Sequence, residues 1–335
     1  YGKRFNNNLK MSIFTERKSY KPFEYDHITK PFIDAIWQSH WTHNEFTFKS
    51  DVQDYRTQLN PQEQEVIKRA ILLISQVEVS VKSYWSHIGK LLPKPEIADV
   101  GATFGGNEVI HSRAYSQILS ELGLNDEFQS LLSSGVVDNR VQYLSKYVNK
   151  IYKNDHQNIV YSLALFSLFT ENVSLFSQFF ILLGFNRFDN IFKDVANVVQ
   201  YTSKEETIHA LFGTTLINEI RKEEPEIFTE EFQQRIVQEA QEAVLAEEAL
   251  VDWMLQGFEN EFLSKDILMA FIKDRINKSL LDIKIDFQFE VCQELLQKTL
   301  WMDEEILAPT MTDFFVKRPI DYAKKNKSYA IDQLF

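Results

Sequence analysis

The sequence predicts an all-α protein, on three observations. Glycine and proline are scarce, at 10 and 8 of 335 residues, whereas sheet-rich folds need turn residues roughly every 8–12 positions. No proline occurs between Pro95 and Pro225. Apolar residues recur at helical spacing, as in Ile67, Ala70, Ile71, Ile74, Val77, Val81 and Trp85.

Taken in order, residues 1–30 are mixed and polar and read as an extended N-terminal arm. A helical pattern begins near Pro31 and carries Trp37 and Trp41. Asn60-Pro61 is a helix start, with Asn at the N-cap, Pro in the first turn, and Glu63 and Glu65 on the positive end of the dipole. Gly89 and the Pro93/Pro95 pair should end that helix. A second long helix is expected after Gly105-Gly106, ending near Gly123. Further helices are expected over 190–222, 226–257 and 263–306. After Pro319 the chain turns polar and basic through Lys324, Lys325 and Lys327. The expected organisation is an arm over 1–30, one large helical domain over 31–318 and a flexible tail over 319–335.

Composition removes several classes. Charged residues are 25% and hydrophobic residues 44%, near the globular average, so disordered and fibrous chains are excluded. One cysteine, Cys292, leaves no disulfide framework and no Cys-based zinc or iron–sulfur site. A net charge of −12 argues against a nucleic-acid partner, whose phosphates need Lys and Arg. The opening Tyr1-Gly2-Lys3-Arg4 is followed by no apolar run, so no secretory signal is read and a cytoplasmic location is expected. It also lacks Met, so the start is expected at Met11 or upstream of Tyr1, which leaves open a preceding regulatory domain.

Residues 158–185 carry one charged side chain, Glu171. That length could span a membrane. The segment also holds Ser162, Ser167, Thr170, Asn172, Ser174, Ser177 and Gln178, and no second such stretch exists. A helix apolar all round is equally the centre of a large bundle, and that reading is preferred. Glu171 is then the anomaly, because a lone carboxylate in an apolar helix is costly unless paired or bound to metal. Glu78 repeats the pattern in Ile71-Leu-Leu-Ile-Ser-Gln-Val-Glu78-Val-Ser-Val81. At similar distances downstream come Glu108-Val-Ile-His111 and Glu206-Thr-Ile-His209. At i, i+3 the two side chains lie on one helix face. One Glu-x-x-His is a weak signal; the order lone Glu, Glu-x-x-His, lone Glu, Glu-x-x-His is specific. Four helices supplying this set are those of a carboxylate-bridged dimetal site in a ferritin-like bundle, here with additional helices. Carboxylates with imidazoles suit iron or manganese.

Tyr115 stands seven positions after Glu108, on the same face. The stretch Glu108-x-x-His111-Ser112-Arg113-Ala114-Tyr115 resembles the Ser-Glu-x-Ile-His-Ser-Arg-x-Tyr stretch of the small (β) subunit of class I ribonucleotide reductase. Lys204-Glu205-Glu206-Thr207-Ile208-His209-Ala210 resembles that family's second Glu-x-x-His, and Asp313-Phe-Phe-Val-Lys-Arg-Pro-Ile-Asp-Tyr-Ala-Lys324 a segment near its C-terminus. The resemblance covers roughly residues 20–335.

The resemblance implies a role for each matching position. Glu78, Glu108 and His111 would hold one metal, Glu171, Glu206 and His209 the other, with Glu108 and Glu206 bridging. The oxidised cluster would generate a radical, stored in most members on the tyrosine matching Tyr115. The radical would pass to the large catalytic subunit, which reduces ribonucleotides to deoxyribonucleotides for DNA replication. The route would run through His111, Glu205, a tryptophan (Trp41, with Trp37 competing) and Tyr329 in a tail that docks on the large subunit. A homodimer is expected, and a flavoprotein activase if manganese is used. Position 78 is Glu where many members have Asp, a feature of variants using manganese–iron or two manganese ions. Thr202, four before Glu206, makes the pocket of Tyr115 less apolar. Dimanganese with a metal-centred oxidant is therefore expected first, di-iron with a tyrosyl radical second, and mixed manganese–iron third. The rivals are a ferritin-like dimetal oxidase or hydroxylase with its own substrate, a storage protein, and a metal-free scaffold.

Overall fold

The computed structural model describes residues 12–127, 130, 135–139 and 155–306. These form an all-α bundle: α1 Asp26–Gln38, α2 Lys49–Thr57, α3 Pro61–Ser86, α4 Ile88–Leu91, α5 Pro95–Leu122, α6 His156–Asp189, α7 Lys193–Glu223, α8 Glu230–Leu255, α9 Lys265–Asp282 and α10 Gln293–Gln297. The start of α3 is as expected: the Asn60 side chain accepts from the amides of Gln62 and Glu63, while Glu63 returns to the Asn60 amide.

The second long helix begins at Pro95, ten residues before Gly105, and runs through the Gly105-Gly106 pair that precedes its expected start. Its glycines serve close packing and do not break it. A Cβ on Gly101 would lie 2.4 Å from the Trp85 carbonyl oxygen, and one on Gly105 would lie 2.3 Å from Oγ of Ser86. Bare backbone there lets α5 lie directly on α3.

The long apolar segment is α6. It is long and apolar enough to cross a membrane, but 94% of its most apolar window is buried inside the protein. It is the helix at the centre of the bundle, capped by Asp155 on the Asn158 amide. From Leu165 to Ser174 it widens into a π-helix, a feature without a sequence signature here.

Two further expectations are corrected. The boundary at residue 31 falls inside α1, and the chain before it is no free arm where it is described. Ile13 is fully buried, Arg17 pairs with Glu96, and Lys94 Nζ holds Glu24 at 3.0 Å. Its polar composition reflects ion pairs with the bundle. The helix expected over 263–306 stops at Asp282, where Lys284 takes a left-handed φ of 61° and the Ile285 amide bonds to the Leu280 carbonyl. A lysine in the position usually filled by glycine hides that stop. The expected tail, 319–335, lies outside the described residues.

Replacing Gly101 with Leu should destabilise the protein by roughly 1–3 kcal/mol or more, because the clash is with backbone. A urea unfolding midpoint equal to wild type would show that α3 and α5 are not in this contact.

Candidate metal centre

Helical periodicity brings the six predicted ligands together. α3 contributes Glu78; α5 contributes Glu108 and His111; the π-helical part of α6 contributes Glu171; α7 contributes Glu206 and His209. All six are buried. Ligand atoms of Glu78, Glu108, His111 and Glu206 lie within 4.8 Å of one another, and so do those of Glu108, Glu171, Glu206 and His209. Glu108 and Glu206 belong to both groups. Nδ1 of His111 is 3.1 Å from Glu108 Oε2 and from Glu206 Oε1. Nδ1 of His209 is 2.9 Å from Glu108 Oε1, 3.1 Å from Glu206 Oε2 and 3.8 Å from Glu171 Oε2. Both imidazoles thus turn the same nitrogen toward the carboxylates.

The electrostatics suit cations. Burial, with Glu108 adding to it, raises Glu78 well above the usual carboxylate range; burial and Glu206 do the same to Glu171. Burial opposes charge on His111 and His209, yet the surrounding carboxylates push both above the ordinary imidazole value. Burial also opposes charge on Glu206, but hydrogen bonds with Glu171, His111 and His209 outweigh it and hold that carboxyl low. Both oxygens of Glu78 are buried without a hydrogen-bond partner among the described residues. A buried polar group left so is costly. Left to protons alone, the cluster balances its charge by keeping protons on carboxylates and imidazoles. Two divalent cations would displace them and meet the bare oxygens, so the donor set fits a pair of hard or borderline metals.

The surrounding shell is specific. Trp85 Nε1 donates to Glu171 Oε1 at 2.6 Å. Glu205 Oε2 accepts from His111 Nε2 at 2.6 Å and from Trp41 Nε1 at 3.0 Å. A proton on Nε2 of His111 leaves Nδ1 free as a ligand atom, the usual division of labour in a metal-bound imidazole. Trp41 is 2% exposed and reaches the cluster through Glu205; Trp37 is 66% exposed and lies apart from it. Tyr115 is fully buried, and the side chain of Thr202 is the hydrogen-bonding group beside its hydroxyl. Burial pushes its phenol up. Thr202 donates its own hydroxyl proton to the Val198 carbonyl at 2.9 Å, which leaves its oxygen as the acceptor facing Tyr115. Tyr329 lies outside the described residues.

Sequence reasoning passed over four contributors. Trp85 lies seven after Glu78, a spacing that could have revealed it. Tyr201 lies four before Glu205; its ring stacks on Trp41 at 5.4 Å and is 36% exposed, extending the aromatic stack to the surface. Phe104 packs against the His209 ring at 4.1 Å between centroids. Gly213, four after His209, lets α7 touch the π-helix: a Cβ there would lie 1.8 Å from Oγ of Ser167.

Comparison with known proteins finds similarity over most of the chain. The family described as "Ribonucleotide reductase, small chain" matches residues 17–295. The chain is 25% identical over 333 residues to "Probable ribonucleoside-diphosphate reductase small subunit 048L" of Invertebrate iridescent virus 3, covering 94% of this chain and 86% of that one. In structure it resembles the dimanganese(II) NrdF of Streptococcus sanguinis, with TM-score 0.68, 16% identity and coverage of 88% and 100%. It also resembles an R2-like ligand-binding oxidase with a Mn/Fe cofactor, with TM-score 0.65, 16% identity and coverage of 81% and 99%. At such identities the structural likeness establishes the shared fold.

Removing His209 by substitution with Ala should lower bound metal from two ions per chain to one or none while the protein stays folded. Elemental analysis after reconstitution checks this, and two ions retained would contradict the assignment.

Proposed function

The chain belongs to the ribonucleotide reductase small-chain family, and from that premise we propose how its residues generate an oxidant and hand it on. As the small subunit of a ribonucleoside-diphosphate reductase, it acts only with a large subunit that carries the substrate. In our reading Glu78, Glu108 and His111 hold one ion and Glu171, Glu206 and His209 the other, with Glu108 and Glu206 shared. When bound, the ion pair supplies the one-electron oxidising power of the subunit.

The observation that carries the reading is the hydrogen-bonded chain from His111 through Glu205 to Trp41. A self-contained oxidase has no need of such an exit from its cluster. Trp41 is the oxidisable ring, and losing an electron acidifies its Nε1–H. Oε2 of Glu205, 3.0 Å away, is placed to take that proton. Glu205 also fixes the tautomer of His111. Trp85 holds Glu171 by one oxygen, leaving the other for an ion. The rings of Trp85, Phe104 and Phe212 keep water from the His209 side.

Dimanganese with a metal-centred oxidant is the proposed state, on the ground of Glu78: its extra methylene changes how the carboxylate reaches its ion. The dimanganese relative of the same fold is in keeping with this. A second reading, a radical kept on Tyr115 beside two irons, is favoured by the full burial of the phenol; a mixed manganese–iron pair is the third. The proposal extends to a homodimer, a cytoplasmic setting, and a tail over 319–335 that docks on the large subunit and carries Tyr329 as the last relay of the route. With manganese, a flavoprotein activase would supply the oxidant.

Two outcomes are expected. Trp41→Phe should leave metal content intact and cut deoxyribonucleotide formation with the large subunit by a hundredfold or more; near-wild-type turnover would refute the route. EPR of the active protein, with metal analysis, should show manganese and no sharp tyrosyl doublet. A doublet lost together with activity in Tyr115→Phe would overturn the metal-centred state.

A further inference from the structure

Arg275 on α9 is 8% exposed, and a buried guanidinium needs compensation. Carboxylates do not provide it. Asp274 and Asp303, the acids whose charge acts on it, both pair with Lys278 instead. Arg275 gives its donors to the residue after Glu171: Nε to the Asn172 main-chain oxygen at 2.6 Å and Nη2 to Asn172 Oδ1 at 2.5 Å. Its face lies 3.5 Å from the Phe176 ring centroid. The Asn172 amide in turn donates to Oγ of Ser279, one turn along α9, at 2.6 Å. Two groups on α9, one of them packed on the Phe176 ring, therefore grip one residue of the π-helix, the neighbour of Glu171.

A π-helix spends one extra residue per turn and survives where surrounding structure holds it. Slipping one residue back to α-helical register would rotate the chain by about 100° and carry the Glu171 carboxylate off the cluster. We propose that Arg275 is a positioning residue that fixes the π-helical register of Leu165–Ser174, and so the place of Glu171, by clamping Asn172 from α9. The inference rests on Glu171 being a metal ligand, as read above, and it makes a prediction that the reading does not.

Manganese(II) alone is the probe, titrated into metal-free protein and followed through the EPR signal of free ion, alongside amide exchange over residues 165–174. Wild type should bind two ions. Arg275→Met should keep one at wild-type affinity, in the set Glu78, Glu108, His111 and Glu206. It should bind the second at least tenfold more weakly, with faster exchange over 165–174. Arg275→Lys, which keeps the charge but not the fork, should fall between, and Asn172→Ala should lose part of the effect. Equal weakening of both ions would reveal a general structural role and overturn the proposal. Wild-type binding and exchange in Arg275→Met would overturn it too. Should that variant fail to fold, wild-type behaviour of both Arg275→Lys and Asn172→Ala has the same force. Absence of binding in the wild type would overturn the dimetal reading instead.

Discussion

Four carboxylates share one dry volume at the centre of this bundle, and most of the structure follows from that constraint. Glu78, Glu108, Glu171 and Glu206 are at most 1% exposed. A buried ion without compensation costs several kcal/mol, and among the described residues no lysine or arginine pairs directly with these four; Lys82 acts on Glu78 only as a minor, longer-range charge. The carboxylates are tolerable only with positive charge between them, as protons or as metal ions. The bundle is therefore built to hold a charge arrangement that it would otherwise reject.

The helices meet this constraint through a few close contacts. Gly101 and Gly105 let α5 lie on α3, which brings Glu108 to Glu78. Gly213 lets α7 approach α6, which brings His209 to Glu171. The π-helix sets the rotation of Glu171, and Trp85 fixes one of its oxygens. Beyond the ligands, Glu205 joins the interior to Trp41. The same carboxylate orients a ligand imidazole and takes the tryptophan N–H, so the geometry of the cluster and its connection outward are set together.

Much of this was legible in the sequence, because periodicity writes helix faces directly into residue spacing. The order of Glu78, Glu108, His111, Glu171, Glu206 and His209 marks out the six residues that the fold gathers into one cluster. Asn60-Pro61 marked a helix start to the residue. What stayed hidden was of another kind. The choice between Trp41 and Trp37 depends on which ring turns inward, and local sequence treats them alike. The π-helix has no residue signature, and its clamp, Arg275, lies a hundred residues away in sequence. The glycines of α5 look like breakers in one dimension and act as contact points in three. The left-handed stop at Lys284 uses a residue that disguises it.

The central claim is that this acidic interior is a two-ion site with two shared carboxylates. Anomalous diffraction from crystals of the manganese-loaded protein tests it most directly. The account predicts two peaks about 3.5–4 Å apart, one among Glu78, Glu108, His111 and Glu206 and the other among Glu108, Glu171, Glu206 and His209. A single peak, or peaks bound by other residues, would contradict it.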